Sequence, residues 1–413
     1  AAFHALTFSG SGSWVVNDPT LTVTDSFTVS GGGAVTLPSA TTTIGENFVV
    51  SSGSIDANDG VLILNATDTG NSLTLSGSTL HDLLIDGVAG AYTMTDANAT
   101  TTGTIEVRNG SLTLPSGTLE IGNDFIITDT INSNGGIVSM TGTTTQLLTL
   151  SGNDLASLQI DGTGTFTMTD LTAAITGDLT VATGTLNSAT GTLAIGGSLD
   201  ATGGVLNVAS STLLFDSTDT GEVVNPGNNE FYNVVINSPS GGWTFASATT
   251  SNLFSLNTAS VFTLSSSETL SVGGVFTNNV GGANTTWTGS TLVLRGPNTY
   301  SVSSSTVANE VYDTLTLVGD TDIRLWNCDY SSVTVSASSS IYSQDHAGSD
   351  GALRLVGAIE RDSGSEYWSY ATDFNGVPLG GGSRPVSVTF DDAVSSSFAM
   401  SAGTLEILGA AGA

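Results

Sequence analysis

The stretch GTLAIGGSL, residues 191–199, occurs three more times in this chain with small changes. The other copies are ATTTIGENF (residues 40–48), GTLEIGNDF (residues 117–125) and ETLSVGGVF (residues 268–276). The glycine that follows the apolar residue is Gly45, Gly122, Gly196 or Gly273. Recurrence at a nearly constant period of about 77 residues indicates a repeat architecture.

A second landmark recurs with the same period. It occurs five times, which indicates four full units and a fifth that diverges. Two landmarks with one period make a chance match a poor explanation. The copies are FHALTF from Phe3, LHDLLI from Leu80, LASLQI from Leu155, FYNVVI from Phe231 and YDTLTL from Tyr312.

A shorter period lies inside each unit. Apolar residues recur every six or seven positions, and three such steps return to the same face after about 20 residues. The intervening Gly, Thr, Ser, Asn and Asp are poor helix formers, which excludes a coiled coil. The residues in the two clearest series are Ile105, Leu112, Leu119, Phe125, Ile131 and Val138, then Leu179, Leu186, Leu193, Leu199, Leu206 and Leu213.

These periods predict an all-β fold, a parallel β-helix or β-solenoid with three short sides and about 20 residues per coil. Each long repeat, about 77 residues, should then make about four coils. The apolar residues should stack inside the coil, with glycine and asparagine at corners that need positive φ. We assign residues 1–340 to solenoid repeats and residues 341–413 to a divergent C-terminal repeat or cap, in which GTLEILG (residues 403–409) restores the motif.

Composition limits the classes of partner. The 413 residues include 37 Asp and Glu, six Arg and no Lys, for a net charge of −31. Such a surface repels phosphate backbones and anionic lipids, so we expect no nucleic acid and no membrane insertion. Only 10% of residues are charged, below the roughly 25% of an ordinary globular domain. This composition suits an extracellular protein, and the single cysteine, Cys328, excludes a disulfide within the chain.

The string GDLTVATGTLNSATGTLAIGGSLDATGGVLN, residues 177–207, resembles the repeats of long bacterial surface proteins. These include adhesin-like, autotransporter-passenger-like and filamentous-haemagglutinin-like β-solenoids. EYWSYATDFNG and GTLEILG in the tail resemble segments of very large surface proteins of environmental bacteria. The resemblance implies an extracellular or cell-surface location and a structural or adhesive role. It implies no shared catalytic residue.

The chain starts at a landmark and stops about thirty residues short of the next one. Both solenoid ends would then present unpaired strand edges, which proteins normally cover. We therefore expect the chain to polymerise with itself, head to tail, into a filament or surface layer. The alternative is that the chain is a piece of a longer protein whose next coils cover the edge. The edge residues are Phe3, Leu6 and Phe8 at one end and Thr404, Leu405, Ile407 and Leu408 at the other.

An adhesin or glycan-binding stalk is a second function to consider. The tail carries four aromatic residues in one short segment, Tyr367, Trp368, Tyr370 and Phe374. Aromatic rings can form a platform for a sugar, and the alternative is that they pack beneath a cap or a partner.

A polysaccharide lyase or hydrolase of β-helix type is the third candidate function. Arg324 has Asp320, Asp322 and Asp329 near it, but a solvated corner with ion pairs explains this pattern better than a lyase base. We therefore expect no enzyme activity.

No cofactor is expected either. The acidic turns DANDG (56–60), DSTDTG (216–221) and DHAGSDG (345–351) do not match a calcium loop and are better explained as polar turns, with calcium as the alternative. His4 and His81 hold equivalent positions in successive units, but about four coils, on the order of 19 Å, separate them. They therefore cannot share a metal.

Overall fold

The computed structural model describes residues 1–295, apart from 189–190, 209 and 281–283. Beyond residue 295 it describes mainly backbone strands: Asn298–Val302, Glu310–Val318, Thr321–Leu325, Cys328–Val335, Ser340–Ser343, Arg354–Leu355, Ala358–Arg361, Glu366–Ser369 and Ser387–Val388. The chain divides into two compact units, residues 1–211 and 212–413. The predicted boundary at residue 340 stays a prediction, because most residues after 343 lie outside the described part.

The first unit is built from short strands that wind around three sides. The first side contains Ala2–Phe3, Thr20–Val23, Thr41–Ile44, Val61–Leu64, the first half of Asp82–Met94, the first half of Ile105–Thr113, Phe125–Ile127, Thr145–Thr149, Thr165–Met168, Thr185–Asn187 and Val205–Asn207. The second contains Leu6–Phe8, Phe27–Val29, Phe48–Val50, Asn71–Thr74, the later halves of the same two long strands, Thr130–Asn132, Thr172–Ile175 and Thr192–Ile195. The third contains Ser13–Val15, Ala34–Thr36, Ser54–Asp56, Thr79–Leu80, Ala99–Thr101, Thr118–Ile121, Ile137–Met140, Ser157–Ile160, Leu179–Val181 and Leu199–Asp200.

Every strand pairing described in this unit is parallel, and each strand pairs with its equivalent one coil later. Leu179 is the Cα partner of Leu199, and Leu186 is the partner of Leu206. Equivalent strands therefore lie roughly 20 residues apart in the chain. Among the described residues no helix occurs. The predicted all-β parallel solenoid with three sides is confirmed.

The core of the first unit is a continuous stack of the predicted apolar residues. Ile105, Leu112, Leu119, Phe125, Ile131 and Val138 are all buried. Side chains on alternate positions point outward, so each short strand contributes one or two residues to the stack. Near the start of the chain the rings of Phe27 and Phe48 stack with centroids 4.9 Å apart.

The sequence repeat and the coil are out of phase. The copies of the opening phrase place their first strands on different sides: Thr41–Ile44 on the first, Thr118–Ile121 on the third and Thr192–Ile195 on the second. Each copy therefore begins one side earlier than the copy before it. A repeat unit is one side short of four coils, which corrects the predicted four. A copy of the phrase can occupy any of the three sides, because the sides have similar lengths and similar inward-facing positions.

The glycine of the repeated phrase fills a role that differs from the predicted one. Gly45, Gly122 and Gly196 do not have positive φ. The N–H of each donates at 2.8 Å to a carbonyl of the preceding coil. A Cβ at any of the three would come closer than 3.0 Å to a threonine carbonyl oxygen of that coil. The close approach of two backbones, and not left-handed geometry, requires glycine here.

The second unit is also built from parallel strands. Its described strands up to residue 295 are Thr212–Phe215, Glu222–Asn225, Glu230–Phe245, Ala248–Leu264, Thr269–Val272, Val275–Asn278, Thr285–Thr286 and Thr291–Arg295. Leu270, for example, pairs with Leu292. Its core contains edge-to-face aromatic contacts, such as that of Phe215 with Trp243 at 4.9 Å. Through the described residues we find no helix with the length and hydrophobicity to span a membrane.

Candidate functional sites

The predicted edge residues at the start of the chain lie on the first described coil. Ala2–Phe3, Leu6–Phe8 and Ser13–Val15 each pair on one side only, with the strand of the following coil. Phe3 is 44% exposed and Val15 is 61% exposed. The structure therefore places the predicted Phe3, Leu6 and Phe8 on one coil. The predicted partner residues Thr404, Leu405, Ile407 and Leu408 lie outside the described residues.

Sequence reasoning missed the contribution of Trp14 to this edge. The Trp14 ring lies 5.4 Å from the ring of Phe8, which in turn lies 5.7 Å from Phe27. Trp14 is half-buried, between the exposed Ser13 and Val15. A search for aromatic residues near the start of the chain would have found it. The first described coil thus carries an apolar cluster.

Two stacked carboxylates lie just behind this edge. The Ser26 hydroxyl donates to Asp25 at 3.0 Å, and this bond, together with one to Glu46, holds the pKa of Asp25 below its usual value. The hydrogen bond to Asp25 and the negative charge of Asp25 raise the pKa of Glu46. His4 Nε2 lies 3.6 Å from Asp25 Oδ2. Of these two carboxylates, one coil apart, Glu46 therefore keeps its proton to a higher pH than usual and Asp25 loses its proton at a lower pH than usual.

The two equivalent histidines lie in different corners of the solenoid. His4 follows Ala2–Phe3, between the first and second sides, whereas His81 follows Thr79–Leu80, between the third and first sides. Each ring lies near a threonine one coil later: His4 Nδ1 is 3.3 Å from Thr24 Oγ1, and His81 Nδ1 is 3.2 Å from Thr102 Oγ1. In the described part of the chain, no group of three or more His, Cys, Asp or Glu side chains has the arrangement of a metal site.

The acidic turn DANDG is an Asx turn. The Asn58 N–H donates to Asp56 Oδ1 at 3.0 Å, and the same bond recurs one unit later between Asn134 and Asn132. In DSTDTG, the Asp219 N–H donates to the Ser217 hydroxyl at 3.0 Å. These bonds give the turns a structural role. The turn DHAGSDG lies outside the described residues.

A polar groove borders the first of these turns, and sequence reasoning missed it. It has a volume of about 440 Å³ and is lined by Asp56, Asp59, Ser76, Ser78, His81 and Thr102, among others. Asp59 Oδ1 lies 3.9 Å from His81 Nδ1. Asp59 and Thr102 both lie near Nδ1 of His81. In a catalytic triad the histidine uses a different ring nitrogen for each partner, so this arrangement is not a triad.

Comparison of the repeat copies marks this groove as different from its equivalent. Asp59 has a φ of 57°, in the left-handed region, where Gly135 stands in the next copy with a φ of 75°. The residue equivalent to His81 in that copy is Ala156. Aspartate at positive φ costs more than glycine, so this copy carries both an unfavourable residue, Asp59, and a histidine beside it. Aligning the copies position by position would have found the pair.

The other predicted sites fall where side chains are not described. Tyr367 and Trp368 lie in the backbone strand Glu366–Ser369, and Arg324 lies in Thr321–Leu325. Tyr370 and Phe374 lie outside the described residues. The glycan platform and the lyase-type arginine site therefore stay predictions.

Comparisons with known proteins identify no relative of this chain. No family model, curated protein or solved structure matches the chain. The resemblance to bacterial surface proteins therefore stays a prediction from the repeated phrases.

Proposed function

We propose that the chain is an extracellular structural protein that stacks end to end into a filament or a surface layer. The observation that carries this proposal is the ladder of parallel strands, in which the strands of each coil, from the first described one onward, pair with those of the next. Phe3 and Val15 are exposed on the first described coil. Wherever such a ladder ends, its edge strands are a template for another parallel coil.

The way the coils are joined supports the same role. Most side-chain hydrogen bonds of the first unit connect residues about one coil apart, such as Asn47 to Ser26 and Asn123 to Thr104. A further coil from another copy would continue the same ladders without a new kind of contact. A head-to-tail contact of this type does not close on itself, so it produces a fibre.

Charge and composition support an extracellular location. The chain has a net charge of −31, and its six positive side chains are all arginine. Such a chain stays soluble through self-repulsion, while salt or divalent cations can screen the repulsion between copies.

The test targets one backbone group at the open edge. The Leu6 N–H donates to Ser26, and the Phe8 carbonyl accepts from Ser30, so both residues face the second coil. Because neighbouring residues in a strand direct their backbone groups to opposite sides, the Thr7 N–H faces the open edge. Thr7→Pro removes that donor and leaves the bonds to the second coil in place. Thr7→Ala is the matched control.

Sedimentation velocity and negative-stain electron microscopy would compare the wild type with both variants. We expect filaments from the wild type and from Thr7→Ala, and shorter species from Thr7→Pro at an unchanged melting temperature. A wild type that stays monomeric at every concentration would refute the proposal. Filaments that form equally well with Thr7→Pro would also refute pairing at this edge.

A further inference from the structure

A two-column array of uncharged side chains covers part of the first side of the first unit. Four neighbouring strands contribute to it: Thr145–Thr149, Thr165–Met168, Thr185–Asn187 and Val205–Asn207. Each residue pairs with its equivalent one coil later, with no shift of register. The outward residues are Thr145, Thr165, Thr185 and Val205 in one column and Leu147, Thr167, Asn187 and Asn207 in the other.

The array is held in place from both sides. Beneath it, Phe166, Leu186 and Leu206 are buried, so the strands rest on a packed core. On its surface, the Asn187 amide donates to Thr167 Oγ1 at 3.3 Å, and the Asn207 amide donates to Asn187 Oδ1 at 3.0 Å. Side chains that are already ordered lose little entropy when they bind a partner.

The array carries no charge. The chain carries a net charge of −31, yet none of the outward residues in the two columns can ionise. Leu147 and Val205 are 41% and 50% exposed, so the array presents apolar groups together with hydroxyls and amides. Each threonine adds a methyl group beside its hydroxyl.

We propose that this array binds the surface of ice. Parallel strands place its rows at a spacing of about 4.8 Å, and the two columns lie about 6.6 Å apart, twice the rise per residue. Oxygen atoms on ice planes repeat at a distance close to the strand spacing, so ordered hydroxyls and methyls can hold water in an ice-like pattern. Charged groups would disrupt this pattern because they bind strong hydration shells of their own.

Two other occupants fit the array less well. Sugar-binding surfaces rely on aromatic rings, and the array has none. A second copy would need about 800 Å² per partner for a stable contact, whereas four strands at about 4.8 Å spacing present far less. This proposal does not depend on the filament proposal, because the array is distant in sequence from the edge strands 2–15.

The experiment measures how much protein is incorporated into a slowly growing ice front. The variant Thr167→Lys places a long charged side chain in the middle of the array. The control Thr180→Lys makes the same change on the third side, where Thr180 lies outward on Leu179–Val181. Circular dichroism and melting temperature should match the wild type in both variants.

We expect the wild type and Thr180→Lys to enter the ice and Thr167→Lys to enter about tenfold less, the change that corresponds to about 1.4 kcal/mol. The proposal would be overturned if the ice incorporated no more of the wild type than of an unrelated acidic protein. Equal incorporation of Thr167→Lys and the wild type would also overturn it. The proposal would also be overturned if Thr167→Lys changed only sedimentation or only binding to crystalline cellulose. The array would then bind another partner.

Discussion

Asp170 accepts a hydrogen bond from the backbone N–H of Ser151 at 2.7 Å, across one coil. Its other carboxylate oxygen accepts from the Leu150 N–H at 2.6 Å. Ser151 has a φ of 49°, so the carboxylate caps a left-handed turn. One unit earlier, Asp96 makes the same pair of bonds to Leu75 and Ser76. The repeat therefore preserves a polar cap between coils as well as the apolar core.

Removing this cap should destabilise the first unit. Asp170→Ala leaves two backbone N–H groups without their acceptor, and we expect a loss of about 1.5 kcal/mol, the lower end for bonds to a charged group. Asp161→Ala, which removes an exposed carboxylate, is the control and should change stability little. Urea unfolding of both variants would measure the difference. Equal losses would show that the cap contributes nothing specific.

A charge inside the apolar stack should be far more damaging than the same charge outside it. Leu193 is buried, and Ala194 next to it points outward. Leu193→Asp places an unpaired carboxylate in the core, which costs several kcal/mol. Ala194→Asp should melt within a few degrees of the wild type. Comparable losses in the two variants would mean that the inward and outward positions are misassigned.

Two glycines should respond differently to the same substitution. Gly135 has a φ of 75° and open space around it, whereas Gly196 lies against the Thr176 carbonyl. Asparagine tolerates the left-handed region, so we expect Gly135→Asn to cost less than about 1 kcal/mol. Gly196→Asn forces two coils apart and should cost about 1–3 kcal/mol. Thermal unfolding would rank them, and the reverse order would refute the close-approach explanation.

Tyr92 should stabilise the core through its hydroxyl group. The Ala66 N–H donates to Tyr92 Oη at 2.9 Å inside the stack. Tyr92→Phe leaves this N–H unpaired, and we expect a loss of about 1–3 kcal/mol. Tyr232→Phe, at a half-buried position, is the control. Urea unfolding that gives the two variants equal stability would contradict the role of the hydroxyl.

Tyr92 should also make the folded protein less stable at high pH. Burial raises the pKa of Tyr92 to about 12, from an ordinary value of 10.0. The folded protein then holds its proton where the unfolded chain has lost it, so the wild type loses stability as the pH rises above 10.0. Tyr92→Phe should lack this loss.

The carboxylate pair behind the open edge should make stability depend on acidity. The pKa of Glu46 is raised above its ordinary value of 4.5, so its neutral form favours the fold. That contribution is present at low pH and is lost as the pH rises through the raised pKa. Glu46→Gln mimics the neutral form, so its melting temperature relative to the wild type should be higher at neutral pH than at pH below 4.5. A constant difference at both pH values would contradict the raised pKa of Glu46.

The lowered pKa of Asp25 acts in the opposite direction. Its contribution is present above the ordinary value of 3.8 and is lost as the pH falls. Asp25→Asn removes the neighbour that raises the pKa of Glu46. The change in melting temperature that Glu46→Gln causes should therefore depend less on pH in the Asp25→Asn background than in the wild type.

Several features of the molecule could be predicted because they follow from local pattern. The spacing of Leu179, Leu186 and Leu193 predicted the strand length, the coil and the buried face, since an apolar residue on each side must point inward for a core to exist. Phe3, Leu6 and Phe8 could be grouped because they belong to one copy of the second landmark, FHALTF. What the edge binds stays a prediction.

The sequence by itself determined the three-sided coil, because short-range alternation and glycine placement leave few ways to bury the apolar residues. Only the tertiary structure decided which residues meet across coils. The repeat unit is one side short of four coils, so residues at equivalent positions, such as His4 and His81, lie at different corners. The contact of Asp59 with His81, the Asp170 cap and the Tyr92 bond all join residues about one coil apart. Those contacts depend on the length of every intervening corner, which the local sequence pattern does not specify.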